Sequence, residues 1–143
     1  MNYDYLKNNG NTFYEVKNGE IDLLQNTIGI SLPSELVSLW KNIGYGFLHS
    51  ENNNVNRIMD PLSVMDFRLR QGDFVFQPDL KLYDEFEDGK LIFFEGNESS
   101  YLSIGYSQDN IGKVFYYDAE VADCLDDFFM KLKENDMYYA HLL

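Results

Sequence analysis

Tyr101-Leu102-Ser103-Ile104-Gly105-Tyr106 is the stretch whose reading decides the fold. Leu102, Ile104 and Tyr106 alternate with Tyr101, Ser103 and Gly105, the two-residue period of a strand with unlike faces. Upstream, residues 80–83 and 91–95 read as two further extended runs. They are joined by Asp84-Glu85-Phe86-Glu87-Asp88-Gly89, in which Asp88-Gly89 is a hairpin-turn signal. Downstream, residues 108–112 turn the chain into Lys113-Val114-Phe115-Tyr116-Tyr117, which predicts a second hairpin. The second half therefore reads as antiparallel sheet.

Beyond that sheet, Asp118 is read as the cap of a final helix. Val121, Cys124, Leu125, Phe128, Phe129 and Leu132 form its apolar stripe, opposite Asp123, Asp126, Asp127, Lys131 and Lys133. Such a stripe needs a surface to cover, and the sheet is the nearest one. Toward the N-terminus, residues 13–16 read as a short extended piece. Asn18 then caps a first helix carrying Ile21, Leu24 and Ile28, with Gly29 at its stop. Ser31-Leu32-Pro33-Ser34-Glu35 places proline and an acid in the first turn of a second helix, lined by Leu36, Val37, Trp40 and Ile43 and ended by Gly44. Trp40 shares that stripe and is read as core. Residues 46–50 and 55–59 read as strands around a polar loop. Asp60-Pro61 repeats the cap-and-proline pattern before a short helix over 62–69, and residues 72–78 read as irregular and aromatic, with Phe74 and Phe76. The expected fold is α+β: one domain over 1–143, an antiparallel sheet of about five or six strands, N-terminal helices, and a C-terminal amphipathic helix packed on the sheet.

The 143 residues are enough for one core, and a hydrophobic fraction of 45% with eleven Tyr and eleven Phe supplies it. One cysteine excludes an internal disulfide and fits a reducing compartment. No leader-like or membrane-spanning run is visible, so the expected location is cytoplasmic. The net charge is −13, against a magnitude of about 2–8 common for small soluble domains. A field of that sign repels nucleic acid and anionic membrane and speeds encounter with basic proteins.

Site chemistry is sparse. The two histidines, His49 and His141, are far apart in sequence, and Cys124 lies on the apolar stripe of the last helix, where it reads as an inert core thiol. With Cys124 they make only three widely separated soft ligands for zinc. The acidic run from Asp84 to Glu95 fails the calcium-loop spacing, with Phe86 at its third position. Neither phosphate-cradling glycine motif occurs, so no cofactor is expected. Arg57, Arg68, Arg70 and Lys81 are outnumbered locally by acids, which disfavours a phosphate-binding groove. The acids themselves form two blocks. Asp118, Glu120, Asp123, Asp126 and Asp127 are explained by the start of a helix. Asp79, Asp84, Glu85, Glu87 and Asp88 have no such explanation and are the candidate partner-binding residues, facing a basic surface.

The segment Glu20-Ile21, Leu24, Gly29-Ile30-Ser31-Leu32-Pro33-Ser34-Glu35-Leu36, Leu39-Trp40 and Asn42-Ile43-Gly44-Tyr45-Gly46 resembles the signature of the SUKH superfamily. That superfamily groups bacterial immunity proteins with fungal cell-wall-assembly regulators of the Smi/Knr type. Leu32-Pro33 matches its leucine-proline start to the second helix and Asn42 to Gly44 its turn, although Ile43 separates Asn from Gly here. Arg57-Ile58-Met59-Asp60-Pro61-Leu62 and Leu91-Ile92-Phe93-Phe94 are similar to bacterial members. The resemblance implies an immunity protein with no catalytic residues, a monomer or weak dimer that neutralises a cognate toxin, expected to be a basic nuclease domain. The alternative it implies is a regulatory protein-binding scaffold like the fungal relatives.

Overall fold

The computed structural model describes residues 2–8, 10–97 and 100–141. The elements are β1 (Thr12–Tyr14), α1 (Glu20–Ile28), α2 (Ser34–Asn42), β2 (Tyr45–Leu48), β3 (Asn56–Ile58), α3 (Pro61–Leu69), β4 (Lys90–Gly96), β5 (Ser100–Gly105), β6 (Val114–Tyr116), β7 (Ala119–Ala122) and α4 (Leu125–Glu134). Short 3-10 helices occupy Asp4–Asn8, Gly72–Phe74, Pro78–Phe86 and Tyr138–His141. All seven strands form one antiparallel sheet in chain order, each paired with the next. The fold is α+β, as the extended reading of residues 101–106 predicts, with seven strands where the sequence suggests five or six.

The core runs through both faces of the central strands. Leu91, Ile92, Phe93 and Phe94 of β4 are all buried, and so is Ser103 within the alternating run of β5. Tyr101 and Leu102 are neighbours on β5 and point to opposite faces. Phe67 of α3 lies 4.8 Å from Tyr101, ring centre to ring centre, whereas Phe128 of α4 lies 5.1 Å from Phe94, the partner of Leu102. Helices α3 and α4 therefore cover opposite faces.

Local chemistry sets several boundaries. Asp60 caps α3, accepting from the Ser63 amide at 3.3 Å and its hydroxyl at 2.5 Å, with Pro61 in the first turn. Gly29 closes α1 in the left-handed region at φ 71°. Gly44 and Gly46 bring β2 against β1: both have positive φ, and a Cβ on them would collide with the Tyr14 and Thr12 carbonyls. Trp40 is buried, and its indole N–H donates to the Met59 carbonyl at 2.9 Å. No helix among the described residues is long and apolar enough to cross a membrane.

Four local expectations are corrected. Gly19, in the left-handed region, occupies the α1 cap position in place of Asn18, and no side chain caps it. Pro33 precedes α2 as its cap residue. Residues 80–83 are not a strand: they sit inside the 3-10 helix Pro78–Phe86, because Leu80 and Tyr83 are buried three residues apart, the period of that helix. Asp118 does not cap the final helix. Tyr117 takes a left-handed turn at φ 56°, β7 follows, and α4 begins only at Leu125, with the half-buried Cys124 at its cap. Val121 thus belongs to a strand, while Leu125, Phe128, Phe129 and Leu132 form the buried stripe of α4.

Candidate functional site

Between α3 and β4 the chain makes a long excursion, residues 70–89, that carries the first acidic block. Its inner side belongs to the core. Phe74, Leu80 and Tyr83 are buried, with Phe74 and Tyr83 edge-on to Phe67 at 5.1 and 6.1 Å and Tyr83 stacked on Tyr117 at 5.1 Å. The Tyr83 hydroxyl also accepts from the Tyr101 amide at 3.2 Å. An all-hydrophobic anchor would leave this amide unpaired, so the tyrosine both packs and satisfies the sheet.

Two arginines at the end of α3 fasten the excursion. Arg68 donates to the Glu87 carbonyl at 3.0 Å, the Lys90 carbonyl at 2.8 Å and the Tyr106 hydroxyl at 2.9 Å. Arg70, itself left-handed at φ 53°, lies over the Phe67 ring at 4.6 Å. It donates to the Phe67 carbonyl, to the Leu80 carbonyl at 3.3 Å, and to the carboxylates of Asp84 and Glu87, both at 2.7 Å. A guanidinium with several fixed donors suits this role better than a single ammonium point charge.

The five candidate residues divide accordingly. Asp79, Asp84, Glu85 and Asp88 are exposed. Glu87 is only 8% exposed and turned inward; one oxygen sits on Arg70 and the other, Oε1, is buried without a hydrogen-bond partner. Burial raises the Glu87 pKa, and the nearby Arg70 and Arg68 do not fully offset it. A side chain held this way faces the interior of the excursion and ties it to Arg70.

What the sequence did not single out is the apolar part of the same surface. Val75, Phe76 and Leu82 are 52, 90 and 61% exposed. In sequence Phe76 belongs to an aromatic, irregular stretch and is indistinguishable there from the buried Phe74.

The chemistry elsewhere is thin. His49 is exposed at the end of β2, lining a concavity of about 430 Å³ with Leu6, Leu48, Phe129, Met130 and Asp136. Asp136 in its wall accepts from Ser50 at 2.5 Å and from Asn54 and Asn56 at 3.1 Å each, tying the end of α4 to the β2–β3 connection. Among the described residues no three His, Cys, Asp or Glu side chains are grouped to hold a metal ion.

Comparison with known proteins places these features. The chain is 48% identical over 144 residues to the protein named Immunity protein YxxD of Bacillus subtilis (strain 168), an alignment covering 100% of this chain and 98% of that protein. The pattern of the SMI1 / KNR4 family (SUKH-1) matches residues 15–131, from the end of β1 through most of α4. With the match spanning six of the seven strands, α1 to α3 and most of α4, the chain belongs to the SMI1 / KNR4 family (SUKH-1).

Proposed function

We propose that this chain is an immunity protein that binds a cognate toxin, a basic nuclease domain, and blocks it. The observation that carries the reading is the full-length identity to a protein named an immunity protein. The net charge of −13 supports the choice of a basic partner, because a nuclease must present cations to phosphates and an acidic inhibitor competes for them. Asp79, Asp84, Glu85 and Asp88 are the acids proposed to meet that partner, with Glu87 and Arg70 holding them in place beneath. Function by binding, without cofactor, as a cytoplasmic single domain that is monomeric or weakly dimeric, completes the proposal.

The test is co-expression with the product of the gene directly upstream. Toxicity relieved by this chain, together with a one-to-one complex on purification, is the expected result. A harmless neighbour that fails to co-purify, or several weak partners of equal standing, removes the reading. Charge reversal at Asp79, Asp84, Glu85 and Asp88 should slow association about tenfold or more at low salt and flatten its dependence on ionic strength.

A further inference from the structure

We propose that Phe76 is the central anchor by which this chain holds its toxin, inserting into an apolar pocket bordered by Lys and Arg side chains. This rests on the immunity reading above and adds the contact that decides how long the complex lasts.

Phe76 is 90% exposed, with Val75 and Leu82 beside it in sequence or on the same excursion at 52 and 61%. The fold gains nothing from this. Among the described residues Phe76 makes no ring contact, whereas Phe74, two positions earlier, is buried against Phe67 and Tyr101. A phenyl ring left almost wholly in water forgoes the gain of burial, which a partner can supply.

The ring is also held ready. On its N-terminal side Phe74 is buried and the Gln77 side chain donates back across the turn to the Asp73 carbonyl at 2.7 Å. On its C-terminal side Leu80 and Tyr83 are buried and Arg70 grips the Leu80 carbonyl and Asp84. An anchor on a loop pinned at both ends loses little entropy on binding.

Charge identifies the occupant. The excursion carries exposed Asp73, Asp79, Asp84, Glu85 and Asp88 against exposed Lys81. An excursion that exposes apolar side chains and acids together fits a partner that offers an apolar pocket among Lys and Arg side chains. A second copy of this chain does not fit, since a two-fold contact would set the same acids against each other on molecules of charge −13. An aromatic centre inside a polar border is the usual anatomy of an interface hot spot.

The experiment uses the full chain and the purified upstream toxin, with association and dissociation rates measured separately. Phe76→Ala should weaken the complex by at least about 30-fold, almost all in faster dissociation, and Phe76→Leu should recover part of it. Met130→Ala, at an exposed position on α4, is the control and should leave binding unchanged. The single tryptophan, Trp40, reports that each variant is folded. Unaltered dissociation of a folded Phe76→Ala variant overturns the anchor while leaving the immunity reading intact. Failure of the unmodified chain to bind the toxin overturns both. Sedimentation of the free chain as a dimer that Phe76→Ala converts to monomer also overturns the assignment, in favour of a second copy.

Discussion

Arg70 and Glu87, seventeen residues apart in sequence, meet at 2.7 Å beneath the exposed acids, and Arg70 at the same time holds Asp84 at 2.7 Å. With its bond to the Leu80 carbonyl at 3.3 Å, one guanidinium ties the start as well as the end of the 3-10 helix Pro78–Phe86 to the end of α3. The surface above it keeps its shape because a buried pair lies below.

Arg70→Ala leaves the Glu87 carboxylate buried without its hydrogen-bonded cation, with only the more weakly acting Arg68 nearby, and removes a donor from the Leu80 and Phe67 carbonyls. The expected loss is about 2–3 kcal/mol in urea unfolding, less than for a wholly buried pair because the Arg70 side chain is partly exposed. Toxin binding should weaken as well, through loosening of the excursion. A variant as stable as the parent would show that the pair contributes no net stability.

Glu87 also gives the molecule a signed pH dependence. Its carboxyl binds a proton more readily in the folded chain than in the unfolded one, because burial disfavours the charge more than Arg70 restores it. The folded state therefore holds the extra proton between the ordinary value of 4.5 and the raised one, and stability falls as pH rises across that window. Measured against Glu87→Gln, the parent should be at its relative best below that ordinary value and lose ground as pH climbs. A relative gain with rising pH would mean that Arg70 dominates.

Trp40→Phe removes the donor to the Met59 carbonyl and part of the core volume between α2 and the sheet. Met59 also donates to Phe93 at 2.9 Å, so the loss falls at a junction with β4. About 2–3 kcal/mol is expected, by denaturation followed with circular dichroism, since the variant lacks tryptophan emission. In the parent, emission should be blue-shifted and move to the red on unfolding.

Gly46→Ala should cost at least about 2 kcal/mol, because its φ of 143° disfavours a side chain and the new Cβ would meet the Thr12 carbonyl of the neighbouring strand. The expected damage is local: amide exchange should quicken in β1 and β2 while β4 and β5 remain protected. Uniform loss of protection would show that β1 is integral to the cooperative unit.

Asp60→Ala tests the clearest local signal. Losing the cap on Ser63 should cost about 1 kcal/mol, read as a shift of the urea midpoint without a change in slope.

Much of the architecture was legible because it rests on contacts between near neighbours. The Asp60-Pro61 cap, the Gly29 stop, the apolar stripe of α2 and the extended run of residues 101–105 each depend on backbone geometry within a few residues, and each stands in the structure. The segment Glu20 to Gly46, with residues 57–62 and 91–94, carried enough of such local chemistry to point to the family.

What only the tertiary structure decided depends on partners distant in the chain. Leu80 and Tyr83 suit a strand or a 3-10 turn; Phe67, Tyr101 and Tyr117 pack around the Tyr83 ring, and Leu80 is buried three residues before it, the spacing of the 3-10 helix. Residues 119–122 extend because β6 offers them hydrogen bonds after the turn at Tyr117. Among five acids of one block, only Glu87 turns inward, because Arg70 is there to receive it. Phe74 and Phe76 look alike in one dimension; the core has room for the first, and the second is left facing water.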